Sequence, residues 1–189
     1  MAHPEAIDVL LQEHERTKAV LEEARERLAE LRASGAETLD EEEAREFFAD
    51  LDAYLAVELE AHIEKEERAL FPPLKERGTE LLQLCEDMVV QHDEIKVRRA
   101  RFLSVLEALN ERHDDVRGAA RAAREAIREA GATLGELWDA LFRLDAMLQG
   151  HFDDEEGELF PLAEEALTAE EFERIAEEMR AIEARVYER

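Results

Sequence analysis

Two stretches of the chain place a glutamate four residues after a histidine, at His62 and Glu66 and again at His151 and Glu155. Residues four apart on an α-helix lie on the same face, with Cβ atoms about 5–6 Å apart, so both side chains can reach one metal ion. Two further histidines occupy inward positions of apolar helical stripes. The candidate metal ligands are His14, His62, Glu66, His92, His151 and Glu155.

Four imidazoles and two carboxylates form a suitable ligand set for two first-row transition-metal ions. If both glutamates bridge, each ion receives two nitrogens and two carboxylate oxygens. A bridging oxo or hydroxo group adds a fifth ligand and leaves a sixth position open to a small molecule. The mixture of imidazole and carboxylate favours iron over calcium or magnesium. We therefore predict two iron ions with an oxo or hydroxo bridge, with zinc and manganese as alternatives.

A single histidine on an apolar stripe is usually a hydrogen-bonded core residue, and a single His-x-x-x-Glu pair often lies on the surface. Duplication argues against both explanations here. Residues 62–72 align without gaps on residues 151–161, and six of the eleven positions are identical. A weaker match links residues 14–18 to residues 92–96. The chain therefore indicates a two-helix unit used twice, over about residues 4–76 and 79–165.

Helical periodicity runs through nearly the whole chain and predicts the elements that hold these ligands. The first helix is predicted from Pro4 to about residue 33, where Ser34-Gly35 stops it. A capping box formed by Thr38 and Glu41 is predicted to open the second helix, which Pro72-Pro73 breaks or kinks.

The second half repeats this plan. A third helix is predicted from Gly78-Thr79 to about residues 110–115, and residues 116–130 are helical by propensity. A fourth core helix follows from about residue 134, and Thr168 with Glu171 caps a last helix over about residues 168–188. We predict one all-α domain over residues 1–189, an up-down four-helix bundle with an additional C-terminal helix.

The positions of the histidines along these helices are mutually compatible. With a turn near Ala36, His14 lies 22 residues before the turn and His62 lies 26 after it. His62 and His92 each lie 15 residues from a turn near Arg77. Offsets of a few residues amount to about 6 Å at 1.5 Å per residue. The interval from His92 to His151 is longer, and we attribute the excess to an added helical segment or kink within residues 116–135.

Composition narrows the classes of partner. Fifty acidic residues against 24 Lys and Arg give a formal charge of −26, which repels phosphate backbones and anionic lipids. Nucleic-acid and membrane partners are therefore not expected. The single cysteine, Cys85, allows neither an internal disulfide nor a thiolate cluster. Because no secretory signal or apolar span of about 20 residues is visible, we expect a soluble, cytoplasmic protein.

Residues near the candidate ligands leave alternatives open. Tyr54 and Glu58 share a helical stripe with His62, so Glu58 is a candidate acceptor for an imidazole and Tyr54 a candidate donor or iron ligand. A buried tyrosine and a helix-face glutamate explain the pattern equally well. Lys18 and Lys96 each follow a candidate histidine by four residues. They are expected to extend into solvent, with neutralisation of the glutamates as the alternative.

The remaining residues with reactive or bulky side chains have structural interpretations. Two histidines without a carboxylate at ligand spacing, His3 and His113, are expected on the surface. Met147 and Trp138 are expected in the core, and Cys85 is expected to be a small buried apolar residue.

Taken together, the isolated histidines, the two His-x-x-x-Glu pairs and the Leu-Phe-Pro exits at residues 70–72 and 159–161 resemble the hemerythrin-like HHE cation-binding family. The resemblance implies a helical bundle in which all six candidate residues ligate a bridged di-iron centre. Classical oxygen-carrying members have a fifth histidine where this chain has Lys96. The four-histidine, two-glutamate set instead resembles proteins implicated in nitric oxide or peroxide responses, iron-centre repair and iron sensing.

Three functions are compatible with this pattern. The first, which we favour, is binding or sensing of a small ligand such as O2 or NO, or of iron itself. The second is a di-iron oxidoreductase acting on hydrogen peroxide or nitric oxide. The third is a purely structural polar network that has no specific metal.

Overall fold

The computed structural model describes residues 3–36, 39, 42–118 and 133–187 of the chain. Within these ranges the protein contains helices and turns and no β-strand, which confirms the predicted all-α fold. The five helices are α1 (Glu5–Ala33), α2 (residues 42–75), α3 (Thr79–Gly118), α4 (residues 134–166) and α5 (Ala169–Tyr187).

Two of these helices contain wider, π-helical turns. In α2, the α-helical segments Glu42–Tyr54, Glu60–Lys65 and Phe71–Lys75 are separated by π-turns at Leu55–Leu59 and Glu66–Leu70. In α4, a π-turn at Glu155–Leu159 separates Leu134–Asp154 from Phe160–Ala166. Single π-turns inside α-helices occur frequently at functional sites.

The helix ends match most of the predicted signals. Gly35 adopts a positive φ of 78° after α1, a conformation that glycine reaches without steric cost. The backbone N–H of Glu171 donates to Thr168 Oγ1 at 3.3 Å, and the Thr168 N–H donates to the Glu171 carboxylate at 2.9 Å, which confirms the capping box. A second capping box, Thr133 with Glu136, opens α4 and was not predicted.

Two predictions need adjustment, and two others cannot be compared. Helix α2 does not break at Pro72-Pro73, because these residues lie in the first turn of its last α-helical segment, where a missing N–H is tolerated. Helix α3 extends to Gly118, past the predicted end. The Thr38–Glu41 capping box and most of the predicted helical segment over residues 116–130 lie outside the described residues.

The core consists of two apolar clusters stacked along the bundle. One cluster contains Leu21, Leu28, Phe48, Phe102 and Leu144 among others. The other contains residues from the opposite end of the bundle, together with the inward face of α5: Ile7, Leu10, Phe71, Met88, Phe160, Phe172, Ile175, Met179 and Ile182. Helix α5 packs across α1 and α2 and closes this end.

Between the two clusters lies a layer of buried polar side chains. His14 on α1 falls between Leu10 of one cluster and Leu21 of the other. Burial of polar groups in such a layer is costly unless each finds a partner. Among the described residues, no helix combines the length and the apolar character that crossing a membrane requires.

Candidate metal centre

The six predicted ligands converge in this polar layer. Their donor atoms form two groups of four, each within 4.8 Å of one another. We define the first subsite as His14 and His62 with both glutamates, and the second subsite as His92 and His151 with the same two glutamates. Glu66 and Glu155 therefore belong to both groups. That these residues bind metal stays a prediction; that they share one buried site is a feature of the structure.

Each shared carboxylate places one oxygen toward each subsite. Glu66 Oε1 lies 3.5 Å from His62 Nε2, and Glu66 Oε2 lies 3.1 Å from His92 Nε2. Glu155 Oε2 lies 3.2 Å from His14 Nε2, and Glu155 Oε1 lies 3.4 Å from His151 Nε2. This is the arrangement that two bridging carboxylates require.

Local helix geometry presents both glutamates from equivalent places. Glu66 and Glu155 are each the first residue of a π-turn, four residues after the histidine on the same helix. Their backbone N–H groups still donate to the carbonyls of His62 and His151, so each histidine and glutamate pair lies on a regular α-helical turn. The helix widens only beyond the glutamate.

Many of the polar atoms facing the centre of the site approach one another without forming a hydrogen bond. Both carboxylate oxygens of Glu66 and of Glu155 are buried without a hydrogen bond, as are the Nε2 atoms of His92 and His151. Leaving a buried polar atom unsatisfied typically costs about 1–3 kcal/mol. Imidazole nitrogens and carboxylate oxygens that converge without partners fit the donor set of two transition-metal ions.

The two carboxylates have opposite electrostatic environments. Burial raises the pKa of Glu155, and the charge of Glu66 raises it further. Burial would also raise the pKa of Glu66, but the neighbouring His62 and His92 outweigh this effect and lower it. The two environments therefore move the pKa values of Glu66 and Glu155 apart, so that Glu155 is the more readily protonated of the two. Cations placed between them would allow both to ionise.

Two imidazoles are held in the neutral form that binds metal. Burial, reinforced by the charge of His62, lowers the pKa of His14 to about 2. Burial also lowers the pKa of His151 to about 3. Burial would lower the pKa of His62 too, but the Glu66 and Glu13 carboxylates outweigh it and raise that pKa.

Each ligand histidine has a second partner at its outer nitrogen. The Nδ1 atoms of His14 and His92 lie 2.9 Å from carboxylate oxygens of Glu156 and Glu67, respectively. His62 Nδ1 lies 2.9 Å from Glu13 Oε2, and His151 Nδ1 lies 2.8 Å from Gln91 Oε1. In a neutral imidazole, donation from Nδ1 fixes the tautomer in which Nε2 keeps its lone pair toward the centre. The Nε2 atoms of His14 and His62 also lie within hydrogen-bond distance of each other, at 3.3 Å.

These outer partners were not predicted from the sequence. Glu58 was one of two open interpretations, a candidate acceptor for an imidazole, and the acceptor at His62 Nδ1 is Glu13 on α1. The hydroxyl of Tyr54, a candidate donor or iron ligand with a buried tyrosine as the alternative, lies 3.1 Å from Thr17 Oγ1. The sequence did contain a signal for these partners. A residue that can accept a hydrogen bond precedes each isolated histidine and follows each candidate glutamate: Glu13, Gln91, Glu67 and Glu156.

Lysines complete the outer contacts, contrary to the expectation that they extend into solvent. Lys18 Nζ donates to Glu156 at 2.8 Å, and Lys96 Nζ lies 3.9 Å from Glu67. Lys65 is only 2% exposed and donates to Glu13. Burial would raise the pKa of Glu13, but His62 and Lys65 together lower it, so this carboxylate is ionised.

Aromatic rings cover the imidazoles from both apolar clusters. Phe152 stacks on His14 with ring centroids 4.0 Å apart, and Phe160 lies nearly parallel to the same imidazole at 5.7 Å. Phe71, the repeat counterpart of Phe160, lies parallel to His92 at 5.8 Å. The phenylalanines of the two Leu-Phe-Pro exits therefore shield equivalent histidines from water.

Other residues singled out from the sequence lie away from the centre. His3 is exposed and pairs with Glu164, as expected for a surface histidine, and the side chain of His113 lies outside the described residues. Cys85 is fully buried in an apolar cluster, where burial raises the pKa of its thiol to about 11. Met147 and Trp138 pack against the other cluster, as predicted.

A helical bundle with paired histidines and two shared glutamates in a buried layer defines a protein of the cation-binding class. The family model of the hemerythrin HHE cation binding domain matches residues 5–126, well over half of the chain. The chain therefore belongs to the hemerythrin HHE family. The match ends before His151 and Glu155, whose place in the site rests on the internal repeat and the geometry. No curated protein and no solved structure matches the chain significantly.

Proposed function

We propose that the protein holds two iron ions, one in each subsite, and uses them to bind or sense a small ligand such as O2 or NO. The observation that carries this proposal is the sharing of Glu66 and Glu155 between two four-residue donor groups. A single ion would use only one group and would leave the other set of buried donors without partners. The family supports cation binding, and the donor chemistry favours iron among the cations.

The donor count leaves room for a ligand. Each subsite offers two imidazole nitrogens and two carboxylate oxygens, whereas iron commonly accepts six donors. Bound iron would supply a redox-active Lewis acid with free coordination positions. The protein's own contribution is to hold four imidazoles in one tautomer, to exclude water with Phe71, Phe152 and Phe160, and to keep the carboxylates available.

Metal analysis of purified protein from iron-rich medium tests the site directly. We expect two irons per chain in the parent, and loss of iron in His62→Ala and Glu155→Ala. His3→Ala is the matched control, because this histidine is exposed and pairs with Glu164 away from the centre. Retention of iron by the two site variants would refute the proposal. Stability that is indifferent to chelation would support the purely structural polar network instead.

Ligand binding is tested separately with the iron-loaded, reduced protein. Stopped-flow absorption spectra after mixing with O2 or NO should change with a rate proportional to ligand concentration. A spectrum that stays unchanged with both gases would refute small-ligand binding while leaving the metal site intact.

A di-iron oxidoreductase acting on hydrogen peroxide or nitric oxide is the second candidate. The observation that favours it is Lys96, which stands where an oxygen carrier has a fifth histidine and whose amine points to Glu67. Both subsites therefore keep free positions. Disproportionation of hydrogen peroxide to water and O2 needs no added reductant, whereas reduction of NO needs an electron donor. Many turnovers per site would support the enzyme, and one equivalent consumed per site would support binding.

A further inference from the structure

The internal repeat extends beyond the six ligands to the side chains that support them. Glu13 precedes His14 just as Gln91 precedes His92, and Lys65 precedes Glu66 just as Asp154 precedes Glu155. In each half, the residue before the isolated histidine contacts Nδ1 of the histidine on the neighbouring helix. The two halves thus share a scaffold but differ in charge at this position.

In the first subsite, the outer partner of His62 is an anion. Glu13 Oε2 lies 2.9 Å from His62 Nδ1, and the other oxygen of Glu13 accepts from the buried Lys65. Lys65 also lies 3.6 Å from Glu183 on α5. A carboxylate that accepts the Nδ1 hydrogen makes the imidazole a stronger electron donor at Nε2.

In the second subsite, the outer partner of His151 is neutral. Gln91 Nε2 lies 2.9 Å from Asp154 Oδ2, and an ionised carboxylate can only accept, so the amide nitrogen must face Asp154. The amide oxygen is therefore the atom that faces His151, at 2.8 Å. Hydrogen bonds to neutral acceptors are roughly half as strong as those to charged ones.

Other contacts offset this difference only in part. The outer partners of His14 and His92 are both glutamates at 2.9 Å. Lys18 donates to Glu156 at 2.8 Å, whereas Lys96 lies 3.9 Å from Glu67, which favours the second subsite. Both lysines are partly exposed, so water screens this opposing contribution. Asp154 is exposed, and the whole Gln91 amide separates its charge from the imidazole, so water screens it. Lys65 offsets part of the charge of Glu13, but it binds the oxygen that faces away from His62.

We infer that the two metal positions are unequal, and that Glu13 is the positioning residue that makes the His14–His62 subsite the tighter one. This inference rests on the proposed function, because it requires both subsites to bind metal. Changes in such outer partners typically alter metal affinity about 10- to 100-fold. Since Lys65 offsets part of the charge, we expect a difference near the lower end, about tenfold.

Single-subsite variants measure each position without coupling through the shared glutamates. His92→Ala leaves the first subsite with all four donors, and His14→Ala does the same for the second. These two histidines are equivalent in the repeat, so the variants are matched. Metal-free protein is titrated with Co2+ and followed by visible absorption, and circular dichroism checks the fold. We expect His92→Ala to bind Co2+ about tenfold more tightly than His14→Ala.

A further variant tests whether the charge pair of Glu13 and Lys65 causes the difference in affinity, by transferring that pair to the second subsite. Gln91→Glu with Asp154→Lys, introduced into His14→Ala, gives the second subsite the charge pair of the first. Its affinity for Co2+ should rise about tenfold. Affinities of the two single-subsite variants within about twofold of each other would overturn the inference, as would a transplant without effect. A parent protein that fails to bind two Co2+ would overturn the proposed function as well, which separates the two failures.

Discussion

Replacing Glu155 with glutamine should shift the stability of the metal-free protein and its metal binding in opposite directions. The donor oxygens of Glu66 and Glu155 lie within 4.8 Å of each other. Two unit charges at that separation repel by about 3 kcal/mol at an effective dielectric constant of about 20. The metal-free protein bears this cost either as repulsion or as protonation of Glu155, whose pKa is raised by burial and by the charge of Glu66.

Glutamine keeps the shape of the side chain and carries no charge. It therefore removes both the repulsion between the two carboxylates and the free-energy cost of protonating Glu155. We expect Glu155→Gln to raise the free energy of unfolding of the chelated protein at pH 7 by up to about 3 kcal/mol. For a chain of this size, that corresponds to an increase in Tm of about 6–12 °C. The same variant should lose the pair of bound ions, because an amide offers one weak oxygen in place of two.

The pH dependence distinguishes this explanation from a general packing effect. Because the folded-state pKa of Glu155 is raised, its contribution to stability is fully present below the unfolded value near 4.5 and is lost as pH rises through the folded pKa. The advantage of Glu155→Gln should therefore disappear below about pH 4.5. Urea unfolding of chelated parent and variant at pH 4 and pH 7 measures it.

Glu66→Gln is the matched control. Its carboxylate is held ionised by His62 and His92, so glutamine there loses favourable contacts as well as the repulsion and should give a smaller gain. The reasoning fails if Glu155→Gln destabilises the chelated protein, if its gain is the same at both pH values, or if it still binds two ions.

Three further predictions concern stability. The pKa values of His14 and His151 are lowered to about 2 and 3 in the folded protein. Below pH 6.5 these two histidines therefore bind more protons in the unfolded chain than in the folded one, so the chelated protein should lose stability as pH falls from 6.5 toward 3. Each of these histidines would contribute a slope of up to about 1.4 kcal/mol per pH unit below pH 6.5. The raised pKa of Glu155 opposes part of the combined slope. A flat profile of urea midpoints would contradict the prediction. Lys65→Met should cost about 3–5 kcal/mol because it leaves Glu13 buried beside His62 without its cation, and adding Glu13→Gln should recover part of that loss in the same assay. Thr133→Ala should cost about 1 kcal/mol in thermal unfolding by removing the cap of α4, and an unchanged Tm would show that the cap does not contribute.

The six converging side chains and the all-α fold were accessible from sequence because both depend on periodicity within single helices. His62 and Glu66 share a face through their spacing alone, and the repeat at His151 and Glu155 excludes coincidence. Isolated His14 became a candidate through its place on an apolar stripe, and the structure brings it to the same centre.

The outer partners could not be assigned because they join different helices. Glu13 reaches His62 across the interface between α1 and α2, and its register depends on how those helices pack. Glu58, one turn before His62, was a candidate acceptor because only contacts within a helix are visible in a sequence. The π-turns were equally inaccessible, since they are defined by backbone hydrogen bonds that leave no pattern of residue types.

Because of the π-turns that start at Glu66 and Glu155, the protein should be sensitive to the number of residues in α2 and α4. Substitutions, which keep that number constant, would not reveal this sensitivity. Each wide turn separates a histidine and glutamate pair from the apolar residues that follow the turn, such as Phe71 and Leu74 in α2. Deleting one residue from such a turn would rotate the rest of the helix by about 100° relative to the ligands. Phe71 would then leave both its apolar cluster and the face of His92, although every ligand would still be present.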